Sequence, residues 1–166
     1  MTVGFRIESL RPEHDRSGFA CGVEALDRYL REQATQDIRR RASSCFVAVA
    51  QDDGRIAGYY TLAASGVPLT ELPEALAKKL PRYPSVPIAR VGRLAVAQAF
   101  AGRKLGAALL ADAALRAARS DVAVFALAVD AKDDAAEAFY RHHGFVAFGP
   151  RPRQLLLPLA SLTKRG

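Results

Sequence analysis

Strand-like and helix-like apolar segments alternate along the whole 166-residue chain, which predicts one mixed α/β domain, layered sheet on helix, rather than a doubly wound sheet. Half of the residues (50%) are hydrophobic, enough at this length for one substantial core. Within Val91–Leu110 a strand pattern passes through a glycine-marked turn directly into an alanine- and leucine-rich helix.

Taken in order, Arg6–Leu10 reads as a first strand, and Val23–Arg40 as a helix with Leu26, Leu30 and Ala34 at helical spacing, an acidic start and a basic end. Cys45–Ala50 and Ile56–Ala64 flank Asp53-Gly54, a dipeptide that supplies the left-handed backbone a tight hairpin needs. Pro68–Pro87, rich in proline and charge, reads as loop with a short helix over Glu71–Leu80. Gly92–Val96 is the central strand, followed by a helix over Lys104–Arg119 with Asp112, Arg116 and Arg119 on its polar face. Val122–Val129 reads as a strand, a short helix follows and ends near Gly144, and Gln154–Leu159 is the last strand. No repeat or low-complexity segment interrupts the series.

Composition narrows the class. Lys and Arg total 24 against 17 Asp and Glu, a net charge of +7 that attracts polyanions without choosing among them. The apolar runs are too short or too charged to span a bilayer, and MTVGFRIESL lacks signal-peptide architecture, so a cytoplasmic protein without a membrane partner is expected. Cys21 and Cys45 show neither metal nor disulfide spacing and are expected to be buried thiols. His14, His142 and His143 are not arranged for a metal, and the adjacent pair is expected to cap the helix that carries Tyr140.

Two stretches carry candidate chemistry. Gly102 permits a tight turn, and from Lys104 the chain reads as a helix whose first N–H groups are free to hold an anion; the same glycines also suit a surface turn that merely eases packing. Tyr140 ends a short amphipathic segment. A phenol with a pKa near ~10 can protonate a departing thiolate, and equally can cover the core with its hydroxyl in water.

These stretches together resemble the GNAT family of N-acetyltransferases. RLAV followed by AGRKLG is similar to the family's acetyl-CoA motif, Q/R-x-x-G-x-G/A after a strand; Ala101 stands where the family has Gln or Arg, and Lys104 where it has the middle Gly. Asp133, Ala136, Phe139, Tyr140, Gly144 and Phe145 match N/D-x-x-A-x-x-F-Y-x-x-x-G-F. The resemblance implies the GNAT fold, a mixed, mostly antiparallel sheet with helices on both faces. It also implies acetyl-CoA as cofactor, met by Leu94, Ala95 and Val96 along the strand, and by Ala101, Gly102, Arg103, Lys104, Leu105, Gly106 and Ala107 around the turn. Asp133, Ala136 and Phe139 would lie near its sulfur, and Tyr140 would be the catalytic proton donor.

Further signatures sharpen the resemblance. Phe19, Cys21, Gly22, Leu26, Asp27, Tyr29 and Leu30, within FACGVEALDRYL, together with RRRASSCFVA, GYYTLAAS and PIARVGRLAV, are similar to the acetyltransferase toxins of bacterial toxin–antitoxin pairs. That group acetylates the α-amino group of aminoacyl-tRNA and blocks translation. It implies a ribbon-helix-helix antitoxin as partner and self-association into a homodimer. The basic clusters Arg39-Arg40-Arg41, Lys78-Lys79 with Arg82, and Arg90 with Arg93 are the candidate surface for the tRNA backbone, although each is also an ordinary solvated helix end or loop. An α-amino group with a pKa near ~7.7–8.0 needs no strong base, and Glu8, Asp15 and Glu24 lie far from the matched blocks. Two alternatives remain open at this level: an acetyltransferase for a small amine or protein amino group, and a non-catalytic binder of coenzyme A or RNA.

Overall fold

A computed structural model describes residues 4–163. The chain forms two compact units, each built from two separate segments: Met1–Ala63 with Gly92–Ala113, and Ala64–Val91 with Ala114–Gly166. The elements are β1 (Phe5–Ser9), α1 (Glu24–Arg28), α2 (Ala34–Arg39), β2 (Ser44–Ala50), β3 (Ile56–Pro68), α3 (Glu74–Ala77), β4 (Ser85–Val96), α4 (Leu105–Ala118), β5 (Ala126–Asp130), α5 (Asp134–His142), β6 (Val146–Ala147), β7 (Gln154–Pro158) and α6 (Ala160–Thr163). The strands lie in the order β1-β2-β3-β4-β5-β7-β6, and the long strands β3 and β4 lend residues to both units.

In the first unit, β1 and β2 pair antiparallel from Phe5↔Ala50 to Ser9↔Phe46, and β2 pairs antiparallel with β3. The turn between β2 and β3 uses Asp53-Gly54: Asp53 accepts the Arg55 N–H at 3.0 Å and Gly54 takes φ 77°. α1 and α2 are one helical run joined through a π turn over Tyr29–Gln33, in which the Ala34 N–H bonds the Tyr29 carbonyl. That run buries Tyr29, Leu30 and Ala34, and β2 and β3 bury Val47, Ala48, Ala57, Tyr59 and Tyr60. Gly58 admits β4 and α4 at close range, since a Cβ there would stand 2.9 Å from the Ala95 carbonyl oxygen of β4 and 3.0 Å from Leu109 Cδ1 of α4. On α4, Asp112 accepts the Tyr60 hydroxyl at 2.5 Å, a charge-assisted bond to a fully buried ring.

In the second unit, β4 and β5 run parallel from Ile88↔Ala126 to Val91↔Val129, and β7 pairs antiparallel with β5 and with β6. Its core joins Val67, Val86, Ile88, Ala126, Ala128 and Leu156 of the strands to Leu72 and Phe148, with Leu76 and Ala77 of α3 packed against them.

Several sequence expectations need correction. β4 begins at Ser85, not Gly92, and β3 continues to Pro68, so strand takes the two ends of the proline-rich segment. Pro87 sits in β4 with its side exposed and its carbonyl accepting the Phe125 N–H at 2.8 Å, so the missing donor breaks no bond on that side. The helix expected over Glu71–Leu80 contracts to Glu74–Ala77 because Pro73 stands at its N-cap, behind a 3₁₀ turn at Leu69–Glu71. The strand expected from Val122 starts at Ala126, and Val122 is left in solvent, 76% exposed. Cys45 is buried as expected, but Cys21 is only half-buried, its thiol donating to the Val23 carbonyl. β6 and α6 carried no sequence signal.

Candidate active site

In the first unit, β4 continues through Gly92–Val96 past the end of the parallel ladder at Val91↔Val129. The chain then bonds back, Ala97 N–H to the Ala57 carbonyl and Gln98 N–H to the Ala20 carbonyl, both at 2.8 Å. A 3₁₀ turn over Gln98–Phe100 drops Phe100 into the core, edge-on to Phe5 at 5.6 Å. The Arg55 and Arg103 guanidinium groups lie over the Phe100 ring, 4.9 and 5.3 Å from its centre.

The turn that follows is built for positive φ. Gly102 takes φ 80° and Lys104 φ 59°, with Ala101 extended between the 3₁₀ turn and Gly102. A Cβ on Gly102 would meet nothing within 4 Å, so conformation alone selects glycine there. Lys104 adopts the left-handed backbone at the very position the sequence motif gives to glycine. The first turn of α4 is closed by the Ala108 N–H on the Lys104 carbonyl at 3.2 Å, so the N–H groups of Leu105, Gly106 and Ala107 crown the open end of a 14-residue helix. Ala101, Arg103 and Lys104 are exposed, and Leu105 is buried as the anchor. Donors, helix dipole and two cations in one turn fit the phosphates of a nucleotide cofactor.

In the second unit, Asp133 caps α5, its carboxylate accepting the Ala136 N–H at 2.8 Å. Phe139 and Tyr140 follow on that helix. The Tyr140 ring packs against Phe139 at 5.3 Å and Phe145 at 5.5 Å, and its carbonyl accepts the His143 and Phe145 N–H groups as Gly144, at φ 95°, reverses the chain. Of the histidine pair expected to cap the helix, His143 is the C-cap and His142 the last helical residue; the His143 ring lies 4.8 Å from Phe139. The Tyr140 hydroxyl has no protein partner among the described residues, and burial pushes its pKa above the usual phenol value of 10. Tyr140 therefore keeps its proton at neutral pH.

The basic residues differ in their availability. Arg39, Arg40 and Arg41 are exposed at the end of α2, and Lys78, Lys79 and Arg82 are exposed after α3. Arg90 is drawn into an ion pair with Asp130 at 3.1 Å. Arg93 stacks on the Tyr29 ring, its guanidinium carbon 3.6 Å from the ring centre. Sequence reading missed this pairing, because no periodicity links a helix residue to a strand residue so far along the chain. It also passed over Tyr83, an aromatic 66% exposed beside Arg82. The early carboxylates are engaged: Arg6, Arg11 and His14 hold Glu8 down to a pKa of about 2, Asp15 is held low by Ser17, and Glu24 faces Arg28 and Arg31. None is a general base in waiting.

The GNAT acetyltransferase family model matches residues 7–145, and the chain belongs to that family. It is an acetyl-CoA-dependent N-acetyltransferase with a mixed, mostly antiparallel sheet. Within the family it is similar to a tRNA-acetylating toxin of Mycobacterium tuberculosis (strain ATCC 25618 / H37Rv), 36% identical over 145 residues, covering 86% of this chain and 85% of the relative. Among solved structures it is similar to AtaT complexed with acetyl-methionyl-tRNAfMet (TM-score 0.88, 28% identity, 98% of this chain and 99% of that one). It is also similar to AtaTR bound with AcCoA (TM-score 0.82, 28% identity, 97% of each chain) and to a mutant of KacT (TM-score 0.87, 29% identity, 98% and 99%).

Proposed function

We propose that this acetyltransferase is a toxin that moves the acetyl group of acetyl-CoA onto the α-amino group of aminoacyl-tRNA and so blocks translation, the chain acting as one catalytic domain. The observation that carries the reading is the Tyr140 hydroxyl, protonated at neutral pH and without an acceptor among the described residues, within the block that the sequence matched to the family. Similarity to the mycobacterial toxin and to AtaT in its tRNA complex supports the acceptor.

In this reading, the N–H groups of Leu105, Gly106 and Ala107 hold the pyrophosphate, helped by Arg103 and Lys104, with Ala101 and Gly102 shaping the turn. The main chain of Leu94, Ala95 and Val96 binds the pantetheine arm in the manner of an added strand and polarises the thioester carbonyl. Asp133 sets the start of α5, Ala136 and Phe139 of the same helix are the further proposed cofactor contacts, and Tyr140 is the proposed proton donor to the sulfur. The amine nitrogen bonds the acetyl carbon as the carbon–sulfur bond breaks; Tyr140 gives its proton to the sulfur, and the proton shed by the nitrogen returns to Tyr140 through solvent. An α-amino group is neutral enough near pH 8 to attack without a base. Arg39, Arg40, Arg41, Lys78, Lys79, Arg82 and Arg93 are the proposed contacts to the tRNA backbone, with Arg90 available only once its pairing with Asp130 opens.

The partner that silences such a toxin is an antitoxin whose acidic tail suits a chain of net charge +7, joined to a ribbon-helix-helix part. A mutant of AtaT has been solved bound to the C-terminus of the antitoxin AtaR (TM-score 0.80, 26% identity, 97% of each chain), which supports an antitoxin partner. A homodimer acting in the cytoplasm completes the proposal, and no described helix is long and apolar enough to cross a membrane.

The test is transfer of labelled acetyl from acetyl-CoA to bacterial tRNA, charged and deacylated in parallel. Label on charged tRNA alone, released with the amino acid by mild base, is the expected result. Tyr140→Phe should cut turnover by about 10²-fold or more, ~2.7 kcal/mol of transition-state free energy, with acetyl-CoA affinity and melting temperature nearly intact. Charged tRNA left unlabelled by a protein that still binds acetyl-CoA would refute the acceptor, and unchanged turnover in Tyr140→Phe would remove the proton donor.

A further inference from the structure

Arg93 is half-buried, and among the described residues no carboxylate lies within ion-pair distance of it. Its guanidinium rests on the face of Tyr29, 3.6 Å from the ring centre. That ring cannot turn away. It is 4% exposed, lies nearly parallel to Tyr59 (6.3 Å, 12°), and donates its hydroxyl to Asp37 at 2.7 Å. Tyr29 opens the π turn, and its carbonyl takes the Ala34 N–H. A π turn inserts one residue into the helical register, and such turns are frequent at functional positions. On the strand side, the Arg93 N–H is fixed to Thr61 Oγ1 at 3.0 Å, a side chain only 1% exposed.

An aromatic seat differs from a carboxylate in one respect that matters. Ring and cation attract through the ring quadrupole, which orients the guanidinium while leaving its full charge and its five N–H donors for another partner. Arg90 makes the contrast within the same strand, since Asp130 neutralises it. A half-withdrawn cation without a counter-ion is stable where a ligand supplies the negative charge.

We propose that Arg93, seated on Tyr29, is a built phosphate-binding site for the backbone of the acceptor RNA, with Tyr29 and Asp37 as its positioning residues. This rests on the RNA-acceptor reading above and sharpens it to one cation. Tyr29 stays a neutral phenol throughout, because burial and the Asp37 carboxylate raise its pKa to about 12.

The experiment is fluorescence titration of a labelled acceptor-stem RNA ending in CCA at a series of salt concentrations, with acetyl-CoA binding measured beside it. Arg93→Gln, which keeps the bulk, should weaken RNA binding about tenfold at low salt and make the slope of log K against log[salt] shallower by about 0.7–0.9, the signature of one lost phosphate contact. Tyr29→Leu should weaken it severalfold, and Tyr29→Phe, which keeps the ring, should stay closer to the parent protein. A salt slope unchanged in Arg93→Gln overturns the site, as does a fall in acetyl-CoA affinity matching that for RNA, which would make the phosphate the cofactor's. Parent protein that acetylates charged tRNA while Arg93→Gln keeps the full slope overturns this inference alone; parent protein that fails to bind the RNA overturns it together with the acceptor reading.

Discussion

Lys104 occupies a conformation that its side chain resists, so replacing it with glycine separates two effects. A left-handed backbone costs a non-glycine residue about 1–2 kcal/mol, and Lys104 holds φ 59°. Glycine removes that cost but loses about 0.5–1 kcal/mol more entropy on folding. The net expectation for Lys104→Gly is a gain of about 0.5–1 kcal/mol, which for a chain of this size raises the melting temperature by roughly 1–4 °C. The exposed ammonium should contribute about 0.5–1 kcal/mol toward a bound pyrophosphate, as surface charges do, so acetyl-CoA affinity should fall about two- to fivefold at low salt. The Debye length shrinks from about 10 Å at 0.1 M to about 3 Å at 1 M, so the two proteins should converge in affinity at high salt. Urea melts and calorimetric titrations at both salt concentrations measure the two effects, with Gly102→Ala, at φ 80°, as the opposite control that loses stability. A less stable Lys104→Gly protein, or one whose acetyl-CoA affinity is unaltered at low salt, would refute the view that a strained backbone is kept here for its cation.

Two further outcomes are expected. Gly58→Ala should cost about 1–3 kcal/mol, because its Cβ would press on the Ala95 carbonyl at 2.9 Å and on Leu109; an unchanged urea midpoint would show that β4 and α4 both give way freely. Glu8 titrates near 2 in the folded protein against an ordinary 4.5, chiefly through its bond to Arg6, so its contribution is present above pH 4.5 and lost as pH falls toward 2. Melting temperature should therefore drop more steeply across that window in the parent protein than in Glu8→Gln, and parallel curves would deny the ion cluster its role.

Much of this protein was legible as local pattern. Asp53-Gly54 demanded a hairpin whatever surrounded it, and the alanine-rich stretch after Lys104 formed the expected helix to within a residue at each end. The α5 block was equally readable, since Asp133 caps it and Gly144 ends it through their own backbone chemistry. Where the reading failed, the deciding partner lay elsewhere in the chain. Pro84 and Pro87 look like loop, yet β4 starts at Ser85, because Ile88–Val91 pairs with Ala126–Val129. Local order therefore specified the turns, the caps and the two candidate blocks. Only the tertiary structure decided the length of β4, the π turn at Tyr29, and the seat that holds Arg93 without cancelling its charge. Turns and caps are satisfied by neighbours in sequence, whereas a strand edge or a buried ring takes its conformation from whichever distant residue packs against it.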